Sequence, residues 1–517
     1  MPARAYAIAT AALVAAVFAV VLGVVRPETL VHDWHGWRQA DTATIALNYA
    51  HGDLEVLHPR IAWGGDGPGY VEAELQVYTG ALALLHRLTG SAPVAGGEWR
   101  GRALSAAALA ATAWLVWVWL RTLGLQPAAA LIGTVALATS RGTVFLVSVQ
   151  PDAFGLAATT GALVLFTRWL HTPRRRDLAL SSLLFAIAGG IKPTFLAAGL
   201  AALAALVGHH PIGTRLRALR SGSLWIAASL PLLAVALLLA HGASVHADYG
   251  NTFGIISGGD SKFPTLDRLV SPMQYVKLAQ VGLAFGPGPL GALGLLLVLF
   301  RRRHLTRPAI AAAIGLWAAY ALVGVASMRY ASEAWLGSHY HALGVLAGAV
   351  SLGVGVDGLL PLLATRPHLR RLGAAAVFIA LAVQVTVALH HRRSAAAHWA
   401  DRELQAADVL RRDLEKTVKA AALPHPGVLV VIRSGVAATT ETGAPNNYED
   451  PRIFYLAGVR GWVWPSDGTS VATSLPALRA RGARYYVDPT DWPFRHPEDQ
   501  RWLDEHSSDL GSGVFRL

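Results

Sequence analysis

Apolar runs of about twenty residues recur along this chain and limit its fold more than any other feature. The first occupies about 6–25. Others follow near 102–121, 127–145, 153–171, 178–191, 194–208, 222–240, 278–300, 308–327, 342–363 and 373–390. A bilayer core takes roughly 20 helical residues to cross. The pattern therefore predicts an α-helical polytopic membrane protein with about eleven transmembrane helices. Two runs are weaker than the rest: 178–191 is short, and Ser140-Arg141-Gly142 interrupts 127–145. Charged residues make up 15% of the chain and hydrophobic ones 53%, and mean hydropathy is +0.41. A soluble domain carries about a quarter charged residues. The absence of cysteine excludes disulfides, thiolate metal sites and cysteine nucleophiles.

Charge placement sets the orientation. The chain carries a formal +12, but its Arg residues sit in short clusters between apolar runs, which points to cytoplasmic loops and not to nucleic acid. The first run is preceded by Arg4 and ends Gly23-Val24-Val25-Arg26-Pro27, with no small-x-small cleavage site. It reads as an uncleaved span with its N-terminus inside. Alternation then puts Arg121, Arg174 to Arg176, Arg215 to Arg220, Arg301 to Arg303 and Arg366 to Arg371 in cytoplasmic loops. His390-His391-Arg392-Arg393 is the exception, falling outside.

Residues 1–393 form the membrane domain, with a large first outer loop at 26–100. From 394 the character changes. Ala395 to Ala420 is a polar helical pattern, Val428 to Ile432 a buried strand, Leu475 to Arg481 a short helix and Tyr485 to Val487 a second strand. Helices alternating with strands predict a small C-terminal α/β domain at 394–517.

The first loop holds the residues best suited to chemistry. Asp41 lies in a helical pattern with Arg38 three residues before it, so the two share a face. They form either a surface ion pair or a working acid with its cation. Glu72 and Glu74 precede another helical run, where one of them serves as an N-terminal acid or a functional one. Gly64 to Gly69 reads as a flexible turn, since it lacks the strand and helix of a phosphate loop. Asp152 follows Pro151 at the outer end of a span, an ordinary helix start as well as a candidate site. Lys192 falls between two apolar runs, where a lysine either snorkels or functions. Ser338-His339-Tyr340-His341 opens a span on the outer side, with Arg329 upstream. The two histidines suit hydrogen bonding to a ligand, and no carboxylate beside them supports a metal. No nucleotide-binding motif occurs.

In their order along the chain these segments resemble the GT-C membrane glycosyltransferases. They are most similar to glycosyltransferase family 39 and its bacterial relatives, the aminoarabinose and protein-mannosyl transferases. Trp37-Arg38-Gln39-Ala40-Asp41-Thr42-Ala43 resembles the family's first-loop Asp segment. Glu72-Ala73-Glu74-Leu75-Gln76-Val77-Tyr78 resembles its Glu-x-Pro-Leu-x-x-Tyr segment, with Glu74 where Pro is usual, so that Glu72 is the family's acid. Pro151-Asp152 resembles the second-loop acid, Lys192-Pro193 a recurrent Lys-Pro, and Ser338 to His341 a His-x-Tyr-Tyr element with His341 departing from it. In the tail, Asp450-Pro451 and Tyr455 to Trp462 resemble a segment of the bacterial proteins.

The resemblance implies a GT-C fold and a polyprenyl-phosphate sugar donor whose lipid lies in the bilayer. Asp41 is the implied general base, with Glu72 and Asp152 orienting the acceptor or holding a divalent ion, and Glu74 standing in for Glu72. Arg38, Lys192, Arg329, His339 and His341 are the candidates to meet the departing phosphate, with Tyr340 beside them. The acceptor is a lipid, glycan or protein, chosen by the tail and by outer loops such as His246 to Asp267. No nucleotide cofactor and no nucleic acid take part. The implied location is a bacterial-type plasma membrane, with the C-terminal domain extracytoplasmic. A transporter or flippase of lipid-linked saccharide is the rival class, and it expects acids inside the spans and two related halves. A noncatalytic cell-envelope assembly protein is the third, indifferent to Asp41.

Overall fold

The computed structural model describes residues 3–25, 30, 35–52, 54–90, 98–251, 253, 263–333, 338–394, 400–417, 427–439, 449–466, 470–490 and 497–517. Residues 254–262 of the outer loop at 246–267 and the ends of the helical stretch at 395–420 lie outside them. The chain is mostly helical and packs into two compact units. One comprises Met1–Arg26, Arg102–Leu238 and Ser261–Ser394, the other Pro27–Gly101, Leu239–Asp260 and Ala395–Leu517.

The helices up to residue 249 are α1 (Ala3–Val25), α2 (Gly36–His51), α3 (Val77–Thr89), α4 (Trp99–Thr122), α5 (Pro127–Thr139), α6 (Arg141–Leu146), α7 (Asp152–His171), α8 (Arg175–Ile191), α9 (Gly199–His209), α10 (Ile212–Leu219) and α11 (Gly222–Tyr249). Among the described residues seven helices are long and apolar enough to cross a membrane: Arg4–Val25, Trp99–Thr122, Asp152–His171, Gly222–Tyr249, Arg307–Ala326, His339–Ala364 and Arg371–Arg392. Pro272–Phe285 and Gly288–His304, bent by 102°, make an eighth if taken as one span. The eleven expected apolar runs thus fall on these seven helices, on the bent pair and on three shorter helical stretches. The runs near 127–145, 178–191 and 194–208 fall on shorter helices, and local chemistry explains each break. Ser140 leaves the helical region and caps α6 by accepting from the Thr143 N–H at 3.1 Å. Pro193 cannot donate into a helix and forces the residue before it to extend, so α8 stops and Lys192 sits at φ −157°. The 102° bend falls at Gly286-Pro287 for the same reason.

The membrane unit packs through small residues, as helices in lipid do. Gly291 lies so close to Gly348 that a Cβ on it would come within 2.4 Å of the Gly348 Cα. This lets Gly288–Arg301 run against Ala342–Ala364. Arg392, the misplaced cation of the charge pattern, is buried. Its guanidinium donates to the Val144 carbonyl at 2.5 Å and the Val147 carbonyl at 2.9 Å, and sits 5.8 Å from the Phe145 ring. It closes the carbonyl end of α6, and a charge used inside the protein carries no weight in a loop-charge rule.

The second unit is built on a five-stranded sheet, ordered β2-β1-β3-β5-β4. Its strands are β1 (Leu429–Arg433), β2 (Arg460–Trp464), β3 (Ala483–Val487), β4 (Ser508–Gly511) and β5 (Val514–Arg516). β1 runs parallel to β2 and β3, while β5 pairs antiparallel with β3 and β4. β1 is buried throughout, as a central parallel strand must be. Val431, Tyr486, Leu475, Leu503 and Phe515 form the core beneath it. β2 is an edge, and unpaired edges need a cover. The cover is the first loop. Gly461 donates to the Ala62 carbonyl at 2.9 Å and accepts from the Gly65 N–H at 2.7 Å, and Gly64 bridges antiparallel to Trp462. The Gly64–Gly69 turn, read as flexible in the sequence, is thus pinned.

Candidate functional site

The site around Asp41 forms in the second unit. His35, at φ 54°, turns the chain into α2. Asp41 then faces inward, only 2% exposed. Its Oδ1 accepts the Trp63 indole N–H at 2.9 Å. Trp63 was not singled out by its sequence context, and it stands in the segment clamped by Gly461. One turn before Asp41, Arg38 pairs with Glu74 and lies 4.2 Å over the Phe253 ring. Phe253 also stacks edge-on to Trp63, with centroids 6.2 Å apart. Glu72 is 1% exposed, and its backbone N–H donates to the Asn251 carbonyl at 3.4 Å.

Burial pushes the Asp41 carboxyl up to about 7. Arg38 and the Trp63 N–H pull against that rise, while Glu449 and Asp450 of the tail add to it. Burial disfavours the charged form and neighbouring carboxylates repel it. The outcome is an acid that gains and loses a proton near neutrality.

Asp450 is held in turn by Arg452. The Arg452 Nε donates to Asp450 Oδ1 at 2.9 Å, and its Nη2 reaches Asp450 Oδ2 at 2.5 Å and Glu403 Oε1 at 2.7 Å. Burial and the Asp450 charge push the Glu403 carboxyl up to about 8. Burial also works against Asp450, but the Arg452 guanidinium wins and holds it below the ordinary carboxylate range.

The remaining candidates gather in the membrane unit. Asp152 opens α7 and accepts from Lys192 Nζ at 2.5 Å, with the Asp152 side chain 4% exposed. Lys192 Nζ lies 5.7 Å from the centre of the Tyr340 ring. Tyr340 packs against His339, centroids 4.3 Å apart, and against Tyr330 at 6.4 Å. The Arg329 guanidinium is 5.9 Å from the Tyr330 ring. Asp152, Lys192, His339, Tyr340 and Arg329 are therefore neighbours, linked ring to charge. His341 points elsewhere. It is fully buried, its Nδ1 shares a hydrogen bond with the Tyr320 hydroxyl at 2.7 Å, and its Nε2 one with the Ala331 carbonyl at 2.9 Å. Among the described residues no three His, Asp or Glu side chains come close enough to share a metal ion.

Residues 82–241 match the family described as dolichyl-phosphate-mannose-protein mannosyltransferase. The structure is similar to that of ArnT from Cupriavidus metallidurans bound to undecaprenyl phosphate, at 14% identity and TM-score 0.54, with 97% of each chain covered. It is also similar to the Archaeoglobus fulgidus oligosaccharyltransferase in complex with zinc and sulfate, at 10% identity and TM-score 0.54, over 91% of this chain and 67% of that one. The same organism's AglB in complex with an inhibitory peptide and a dolichol-phosphate gives 11% identity and TM-score 0.52, over 92% and 69%. No curated protein matches in sequence. The chain is a multi-pass membrane protein with the GT-C fold.

Proposed function

We propose that this protein transfers a sugar from a polyprenyl-phosphate donor to an acceptor nucleophile at the outer face of the membrane, with Asp41 as general base. The observation that carries the reading is the state of Asp41. It is a buried carboxyl poised near 7, beside the Arg38 charge and accepting the Trp63 indole N–H. A general base works best with a proton affinity near the operating pH. The GT-C fold and the family match support glycosyl transfer from a lipid-linked donor.

The step balances as an inverting displacement. Asp41 takes the proton from the acceptor O–H or N–H, and the freed electron pair forms the bond to the anomeric carbon. The bond from that carbon to the phosphate oxygen breaks, and polyprenyl phosphate leaves with its electron pair. Lys192 and Arg329 are the cations assigned to the growing phosphate charge. Asp152 holds Lys192, with Tyr340 and His339 shaping the place where the head group lies. Glu72 and Glu74 serve the acceptor side, Glu74 by fixing Arg38. His341 has both ring nitrogens engaged within the protein and is assigned to packing. Residues 1–393 carry the chemistry, and the tail at 394–517 lies outside the membrane with the first loop.

The test is turnover of radiolabelled polyprenyl-phosphate sugars by membranes containing wild type or Asp41→Asn. Loss of turnover at equal protein level supports the assignment. Turnover that survives the substitution removes Asp41 as base.

A further inference from the structure

Trp63 meets Asp41 from a loop with little secondary structure of its own. Its position depends on what holds Ala62–Gly67. Two backbone hydrogen bonds to Gly461 fix that segment on the β2 edge. Arg460 Nη1 donates to the Gly67 carbonyl at 3.2 Å. Arg481 takes Asp66 in a two-pronged ion pair, Nε to Oδ2 at 3.0 Å and Nη2 to Oδ1 at 2.5 Å, and lies 5.2 Å from the Trp462 ring. Gly65 sits at φ +70°, and a Cβ there would come within 2.5 Å of the Trp462 Nε1. Only glycine allows this approach. The tail contributes a second influence, since Glu449 and Asp450 act on the Asp41 charge.

We propose that the tail sheet positions the base. By clamping Ala62–Gly67 on its β2 edge, it seats the Trp63 indole on Asp41 and closes the carboxyl from water. Trp462, Arg481 and Gly461 are positioning residues in this arrangement, acting through Trp63. The proposal rests on the reading of Asp41 as the base.

Three substitutions separate the contributions through the pH dependence of kcat/KM. Trp63→Phe keeps a ring over Asp41 but removes the donor to the carboxylate, so its acid limb moves to higher pH than wild type. Gly65→Ala drives a methyl into Trp462 and lifts the loop. Water then reaches Asp41, the burial effect fades, and the acid limb moves by a unit or more to lower pH with at least a tenfold loss of kcat. Asp66→Arg places like charges face to face and gives a smaller shift in the same direction. Asp66→Arg combined with Arg481→Asp rebuilds the pair and restores the wild-type limb, which ties the shift in Asp66→Arg to the lost pair.

The proposal is overturned if Gly65→Ala and Asp66→Arg leave the acid limb at its wild-type pH, or if the double variant fails to restore it. Failure of the base reading is a different result, since wild-type turnover and profile would then persist in Asp41→Asn.

Discussion

Trp63 donates its indole N–H to the Oδ1 of Asp41 at 2.9 Å, in a place only 2% of the acid's surface reaches water. A buried acid whose charged form is favoured by a guanidinium and an indole N–H is suited to the proposed role of base. Its pH behaviour is the first thing to measure.

Turnover by the wild-type protein is expected to rise with pH through about 7. The sign follows from the role: the base works deprotonated, and burial raises the pH at which it loses its proton. Asp41→Asn is expected to lower kcat by about 10²–10⁴-fold. A pH series of initial rates for both proteins checks the limb and the loss together.

Trp63→Phe is expected to raise the acid limb by about one unit. A hydrogen bond to a charged group contributes about 1.5–3 kcal/mol, and a unit of pKa corresponds to about 1.4 kcal/mol. Since the neutral acid retains part of that bond, about one unit is the expected net effect. The same pH series reads it out.

Lys192→Met leaves the buried Asp152 carboxylate without the ammonium now 2.5 Å away. It is expected to lower kcat/KM for the donor by at least about tenfold, since removing one group that meets developing transition-state charge costs about 2.7–4 kcal/mol. Lys192→Arg keeps the charge and is expected to retain more activity. Donor titrations of both variants distinguish the two outcomes, and equal activity in wild type and Lys192→Met would refute the assignment.

Arg452→Met removes the guanidinium that bridges Asp450 and Glu403. The buried Glu403 carboxyl and the half-buried Asp450 then lose the cation they share, a change worth about 3–5 kcal/mol. The tail is expected to become protease-sensitive at a lower temperature than wild type. Limited proteolysis across a temperature ramp measures that difference.

The sequence made some of this legible and hid the rest for identifiable reasons. The apolar runs announce a helical membrane protein because lipid tolerates little else. The lengths of the helices are less legible, since the runs near 127–145, 178–191 and 194–208 fold into helices shorter than the others. Asp41, Arg38, Asp152 and Lys192 stand out as charges beside apolar runs, yet the Arg38–Glu74 and Lys192–Asp152 pairs join residues 36 and 40 positions apart. His341 shares its segment with His339 and Tyr340, but the start of a helix turns it inward onto Tyr320. Trp63 had no local signature at all. Its importance comes from a strand edge that pairs with its loop through backbone atoms, and backbone pairing leaves no mark on side-chain identity.

The clamp on the first loop also fixes an order in time. Arg460 and Gly67, which it joins, are 393 residues apart. At a synthesis rate of roughly 5–20 residues per second, Asp41 leaves the ribosome about 20–80 s before the strand that seats its partner exists. With the proposed clamp, a nascent or truncated chain carries Asp41 with Trp63 unanchored, and Asp41 acquires its full proton affinity only once the sheet of β1 to β5 has folded.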